Sequence, residues 1–357
     1  MVPDPFNFLI FLDFSKNSNK NILTMNTKIK NKVFKVGDTT YCLWDLDVKN
    51  RNTEFINNLD EGFFEYQANI HFSNLESQDK MRAAIALRQL YYHGMEVLFS
   101  LICASLQAPD CIYAWMAKYK VVDLQHILKD LNNNHSKFFQ KLKISKPLSW
   151  DTYALAVFNN LGRDDTYRQE TAKLFANFWQ RLSHDFLDKD ASNEYNGIKH
   201  GIRIRSGGFT MAFGKEEQFG QKVPPENMKI LGGSEFGSSF YIPEIIYGCN
   251  LNNTSRNFRM TPINVNWYAD GLAYALILIA MSLKNVKAFL KIVNGVSPES
   301  VEFTRPADLD FFDKPWEKSV GITRASFERV VDLSSVRMPT KHEIEKHIQM
   351  VEKKGKP

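Results

Sequence analysis

The chain has 357 residues, with 45 Lys and Arg against 40 Asp and Glu, a formal net charge of +5. Hydrophobic residues make up 44% and charged residues 24%, ordinary globular usage that excludes a disordered, collagen-like or disulfide-scaffold chain. The length corresponds to about two domains at roughly 150 residues each, and the mild basic excess is compatible with a polyanionic partner without requiring one.

Residues 1–30 read as an N-terminal tail. The apolar run 6–14 has no basic residues before it and no small-residue cleavage site after it, so it makes a poor signal peptide. It is far shorter than the roughly 20 residues of a membrane span. Met25 offers an alternative start, which would make 1–24 incidental. Residues 31–74 read as a small N-terminal β segment. Two strand-like runs within 32–48 flank the turn dipeptide Gly37-Asp38, and 63–72 alternates loosely like a further strand.

The pattern turns helical from Ser73. Residues 81–106 contain no Pro and a single Gly, Gly94, and end before Pro109, which cannot continue a helix without cost. Pro109-Asp110 suits the first turn of a shorter helix, and 121–131 and 136–142 read as short helices. Ser149 opens a clear one, with Trp150, Tyr153, Ala154, Val157, Phe158 and Leu161 on one face and Gly162 as its stop. Thr166 and Gln169 have capping-box spacing. Leu174, Phe175, Phe178, Trp179, Leu182 and Phe186 then form one apolar stripe. Residues 202–262 read as β, with 202–205 and 209–213 pairing as a hairpin about Gly207-Gly208. Residues 266–293 return to helix, apolar all round in the middle and hence buried, and Asn294-Gly295 stops it. The apolar run 272–283 has core-helix length, not membrane length. In the C-terminal extension, 296–357, Thr340 and Glu343 form a second capping box ahead of a charged helix. The expected fold is α+β and α-rich: a helical bundle over 75–295 carrying a β insertion at 202–262.

Cysteines at 42, 103, 111 and 249 show no C-x-x-C pair and no zinc spacing, as expected of reduced thiols in a cytoplasmic protein. There is no phosphate-cradling Gly-x-x-x-x-Gly-Lys loop, no dinucleotide fingerprint, no His-Glu-x-x-His and no nucleophile elbow, which argues against a nucleotide-driven motor, a Rossmann dehydrogenase, a zincin and an α/β-hydrolase. No cofactor, metal site or membrane partner is implied.

Two clusters could carry chemistry. Asn196, Lys199, His200, Arg203 and Arg205 place four cationic or titratable groups and an amide within ten residues. Arg203 and Arg205 share one face because strand side chains alternate. Such a cluster suits a phosphate-bearing ligand, with Arg as donor fork and His as proton carrier, although a solvated basic turn has the same composition. The second cluster lies on the long helix. Arg88, Tyr92, His93 and Glu96 fall within an arc of roughly 140° at 100° per residue, opposite a fully apolar side. That stripe either faces water or lines a cleft. In the cleft reading Glu96 pairs with Lys199 or Arg203. A third candidate, His184-Asp185, has the dipeptide of metal-dependent phosphohydrolases of the HD type, but His184 points away from its helix's apolar stripe.

The helices around Tyr91-Tyr92-His93-Gly94 and the segment Tyr195–His200 resemble the HEPN superfamily over about residues 75–201. That resemblance implies a helical bundle, usually dimeric, that in many members cleaves RNA without a metal in toxin, antiviral and CRISPR systems, and in others is non-catalytic. Its hallmark is Arg, four to six residues, then His. Before His200 the corresponding positions hold Asn193, Glu194 and Tyr195, while Asn196 matches the polar residue that often follows the Arg. The spacing occurs instead at Arg88–His93 and Arg337–His342. The resemblance implies catalytic roles for His200, Asn196 and Lys199 with Arg88 and His93, and substrate contacts from Arg203, Arg205, Glu96 and Tyr92. The expected function is RNA binding or cleavage, as a homodimer and in microbial defence. A non-catalytic interaction module and a nucleotide-binding sensor are the alternatives.

Overall fold

In the computed structural model the described residues are 31–326, apart from 136, 143, 145, 146, 201, 202, 217, 219 and 246–257, together with 337 and 339–354. The 1–30 tail and Cys249 lie outside them. The fold is α+β and α-rich. Strands β1 (Lys32–Val36) and β2 (Thr39–Leu43) form the expected hairpin, and Gly37 takes the positive φ its turn demands. Then come α1 (Val48–Asn57), α2 (Phe63–Phe72), α3 (Lys80–Gln107), α4 (Ile112–Met116), α5 (Val121–Asn132), α6 (Trp150–Phe158), α7 (Asp165–Leu187) and α8 (Lys189–Lys199).

Two expectations along this stretch are corrected. Residues 63–72 form a helix, not a strand: Phe64 and Ala68, one turn apart, are buried against α3 and the later helix α9 (Ala269–Val293), so tertiary packing overrides the weak alternation. Residues 136–142 form no helix among the described residues. The N–H groups of Lys141 and Leu142 instead donate to the Leu106 carbonyl at the end of α3, at 2.9 and 3.1 Å. Caps also shift. Ser149 caps α6 as expected, accepting from the Thr152 N–H, but Asp164 caps α7 in place of Thr166. Asp188 caps α8, accepting from the N–H groups of Asp190 and Ala191.

The bundle core is built on α3, α7 and α9. Phe178, Trp179 and Leu182 are buried with Leu276, Leu278 and Ile279, and the Trp179 indole N–H donates to Ser282 at 2.9 Å. At the α3–α9 crossing a Cβ on Gly94 would lie 3.3 Å from Ile279, so this glycine sets how closely the two long helices approach. A polar knot ties the bundle's first helix to its last. Asn52 of α1 donates to Asn294 at 3.0 Å and accepts from the Ile112 N–H at 2.7 Å, and Asn294 in turn donates to the Pro109 carbonyl.

After α8 come β3 (Ile204–Ser206), β4 (Thr210–Phe213), β5 (Lys229–Gly233), β6 (Gly237–Ile245) and β7 (Phe258–Asn266); past α9 lie β8 (Arg324–Ala325) and α10 (Lys341–Lys354). The expected hairpin of 202–205 with 209–213 does not form. Strand β3 joins a four-stranded sheet in the order β3-β6-β7-β8, whereas β4 pairs with β5 in a separate ribbon. The Asn266 carboxamide accepts from the Phe209 N–H and donates to its C=O, which turns the chain away after β3. No described helix is long and apolar enough to cross a membrane.

Candidate nucleic-acid interface

The sheet lies over α8. Its inner face presents Ile204, Ser238, Phe240, Ile263 and Val265, and Gly197 of α8 lets Ile204 come close. On α8 the inward stripe is Ala191, Glu194, Tyr195 and Ile198. Glu194 is therefore a carboxylate on the buried side of an amphipathic helix, 1% exposed. Such a charge needs full compensation, and it has it. Arg88 of α3 donates from Nε and Nη2 to Glu194 Oε2 at 3.0 and 2.8 Å, while Trp267 (3.0 Å) and Ser238 donate to Oε1. Burial alone would lower the Arg88 pKa, but Glu194 outweighs it and holds the guanidinium above its ordinary value.

This network decides how the sequence candidates are distributed. Arg88 is committed to Glu194. Tyr92 is buried as well: its hydroxyl donates to the Phe186 carbonyl at 3.0 Å and its ring stacks on Tyr195 at 4.5 Å. His93 points the other way, to the surface beside Phe64. Partial burial pushes the His93 imidazole below its usual pKa, opposed by Glu96 and reinforced by Lys199, so these three groups share one neighbourhood. Glu96 accepts from the Tyr119 hydroxyl at 3.3 Å and forms no ion pair with Lys199 or Arg203. Lys199 is exposed, its ammonium 5.5 Å from the Tyr195 ring. Asn196 is exposed, and His200 ends α8 with its backbone N–H on the Asn196 carbonyl.

The outer face of the sheet carries the rest. Arg203 precedes β3 and Arg205 lies within it, both exposed. Arg205 is opposite Ser239. Tyr241 lies two residues beyond Ser239 on the same face of β6 and is 66% exposed. Lys199, Arg203 and Arg205 form no ion pair among the described residues. The structure thus gathers Lys199, Arg203, Arg205, Asn196 and His200 around the end of α8, with His93 and Glu96 near Lys199, and separates Arg88 and Tyr92 from them. No group of three or more metal-ligating side chains is present among the described residues.

No family model, curated protein or solved structure matches the chain.

Sequence reasoning missed Glu194 and Tyr241. The signal for Glu194 was its place in the stripe Ala191, Glu194, Tyr195, Ile198. Tyr241 is meaningful only through β3–β6 pairing across more than thirty residues, which no local pattern shows. Asp185 also escapes a reading that weighs only its neighbour His184. His184 is exposed as expected, yet Asp185 accepts from the Tyr91 hydroxyl at 2.6 Å inside the fold.

Proposed function

We propose that the protein binds single-stranded RNA across the end of α8 and the outer face of the four-stranded sheet. The observation that carries this reading is the row of exposed cations Lys199, Arg203 and Arg205, none with a carboxylate partner among the described residues, with the exposed ring of Tyr241 on the sheet face that Arg205 shares. Cations without partners can neutralise phosphates, and an aromatic ring on an open sheet face gives a base something to stack on. The mild net positive charge favours the same class of partner.

Binding is favoured over cleavage. A metal-independent ribonuclease needs a cation on the scissile phosphate beside its histidine. Arg88, the arginine at hallmark spacing from His93, commits two of its nitrogens to Glu194. His200 and Lys199 stand at the surface, neither with a side-chain hydrogen bond or ion pair among the described residues, and the Lys199 ammonium meets only the Tyr195 ring.

Filter retention of a fluorescent single-stranded RNA, measured across a salt series, tests the reading. Every phosphate that the protein no longer neutralises should flatten the log-log salt slope by about 0.7. The double variant Arg203→Ala/Arg205→Ala should therefore bind more weakly with a shallower slope, and Tyr241→Ala should lose about 1–3 kcal/mol of affinity with an unchanged slope. Wild-type protein that retains no RNA at low salt would sink the proposal.

A further inference from the structure

A cleft of about 440 Å³ opens where α3, the α7–α8 junction, the start of α9 and the segment 315–324 meet. Its size lies within the roughly 300–1,000 Å³ of small-molecule sites. It shares no residue with the surface proposed for RNA. Its fourth wall is fixed in place: a Cβ on Gly271 would lie 2.3 Å from the Pro315 carbonyl oxygen, the Arg181 guanidinium sits 3.7 Å over the Trp316 ring, and Arg324 bridges Asp188 and Asp190.

Most polar groups lining the cleft are already satisfied. Asp188 holds Arg324 and the α8 N-terminus. Asn266 holds Phe209 and Ile322. Lys318 also lines the cleft, its ammonium 5.4 Å from the Tyr268 ring and without a carboxylate partner among the described residues. Arg88 and Asp185 each keep an open atom. Arg88 gives Nε and Nη2 to Glu194, and its Nη1 has no partner among the described residues. Asp185 accepts from Tyr91 on Oδ2, and its Oδ1 has no donor among the described residues. Both side chains flank Tyr91, with the Arg88 guanidinium 5.9 Å from that ring and 5.7 Å from the Trp267 ring.

An open carboxylate oxygen beside an open guanidinium edge selects by charge. A lone cation would face Arg88 and Lys318, and a lone anion would face Asp185. A ligand carrying an ammonium and a carboxylate on neighbouring atoms satisfies both. We propose that this cleft binds an α-amino acid, its ammonium donating to Asp185 and its carboxylate accepting from Arg88, with an apolar or aromatic side chain lying against Trp267 and Leu272. Burial holds the Asp185 carboxyl above the usual range in spite of Tyr91 and Arg88.

Titration calorimetry of the full chain tests this, with L-phenylalanine and L-leucine as probes. N-acetyl-L-phenylalanine removes the ammonium, L-phenylalanine methyl ester removes the carboxylate, and adenosine serves as a neutral planar donor–acceptor. Saturable binding of at least one free amino acid is expected, with both blocked forms weaker by about tenfold or more, the scale of a missing charged hydrogen bond. Asp185→Asn should weaken the free amino acid by a similar factor and close the gap between it and the N-acetyl form. The wild-type ligand series stands without the variant. No saturable heat with either amino acid, N-acetyl binding equal to free binding, or preference for adenosine would each overturn the proposal.

Discussion

Glu194 has three partners that come from α3, β6 and the residue following β7, so one carboxylate joins the bundle to the sheet. Removing one side of a buried ion pair strands the other charge, at a cost of about 3–5 kcal/mol. Glu194→Ala should lose that much in urea unfolding, while Arg88→Met/Glu194→Leu should recover most of it because no charge is left unpaired. A double variant as unstable as the single would show that the pair itself, not the stranded Arg88, supplies the stability. The sequence shows both members plainly, and the Arg88–His93 spacing even singles out one. What it cannot show is that 106 residues later a carboxylate meets that arginine. The spacing then becomes incidental, because the two residues point to different faces of α3.

Acid stability also belongs to single residues. Burial would raise Asp188, Asp110 and Glu61, but hydrogen bonds and cations reverse it: Ala191 and Arg324 for Asp188, Lys141 and Lys32 for Asp110, Lys287 for Glu61. All three end below their ordinary values. A carboxyl depressed in the folded state adds stability above its unfolded pKa of about 4, and that stability is lost as pH falls through the folded value. Asp185 has the opposite sign. Its raised folded pKa gives a contribution complete below about pH 4 that is lost as pH rises through the folded value. Thermal melts from pH 7 to pH 3 should therefore show Tm falling on the acid side, with Asp185→Asn falling more steeply because an opposing contribution is gone. An acid limb unchanged by Asp185→Asn would contradict this assignment.

At the scale of elements, legibility followed length. Helices α3, α7 and α9 each run for 23 residues or more, enough turns for the 3.6-residue period to declare itself. The ten-residue α2 did not, since two buried positions look the same under either period. Strand pairing was least legible of all: β3 and β4 read as one hairpin, yet each has its partner more than fifteen residues further on. The packing of α7 gives a direct check. Phe178 is 1% exposed and lies against Phe312 and Trp316. Phe178→Ala should cost about 3–5 kcal/mol, and an unchanged melting temperature would refute the packing. At the tighter α3–α9 crossing, Gly94→Leu should destabilise by about 1–3 kcal/mol through overpacking against Ile279.

For the molecule as a whole, the order in which the chain is made matters. Asn52 and Asn294, which bond to each other, are 242 residues apart. At roughly 5–20 residues per second, α1 is synthesised about 12–50 s before its partner exists. Over that interval Ile56, Phe64 and the face of α3 around Gly94 have no α9 to cover them, although they are among the first core positions to leave the ribosome. The N-terminal third of this protein is thus a folding debtor to its last long helix. Chains arrested before residue 269 should expose apolar surface that binds a hydrophobic dye, and a stretch of translation only a few tens of residues longer should extinguish that signal at once.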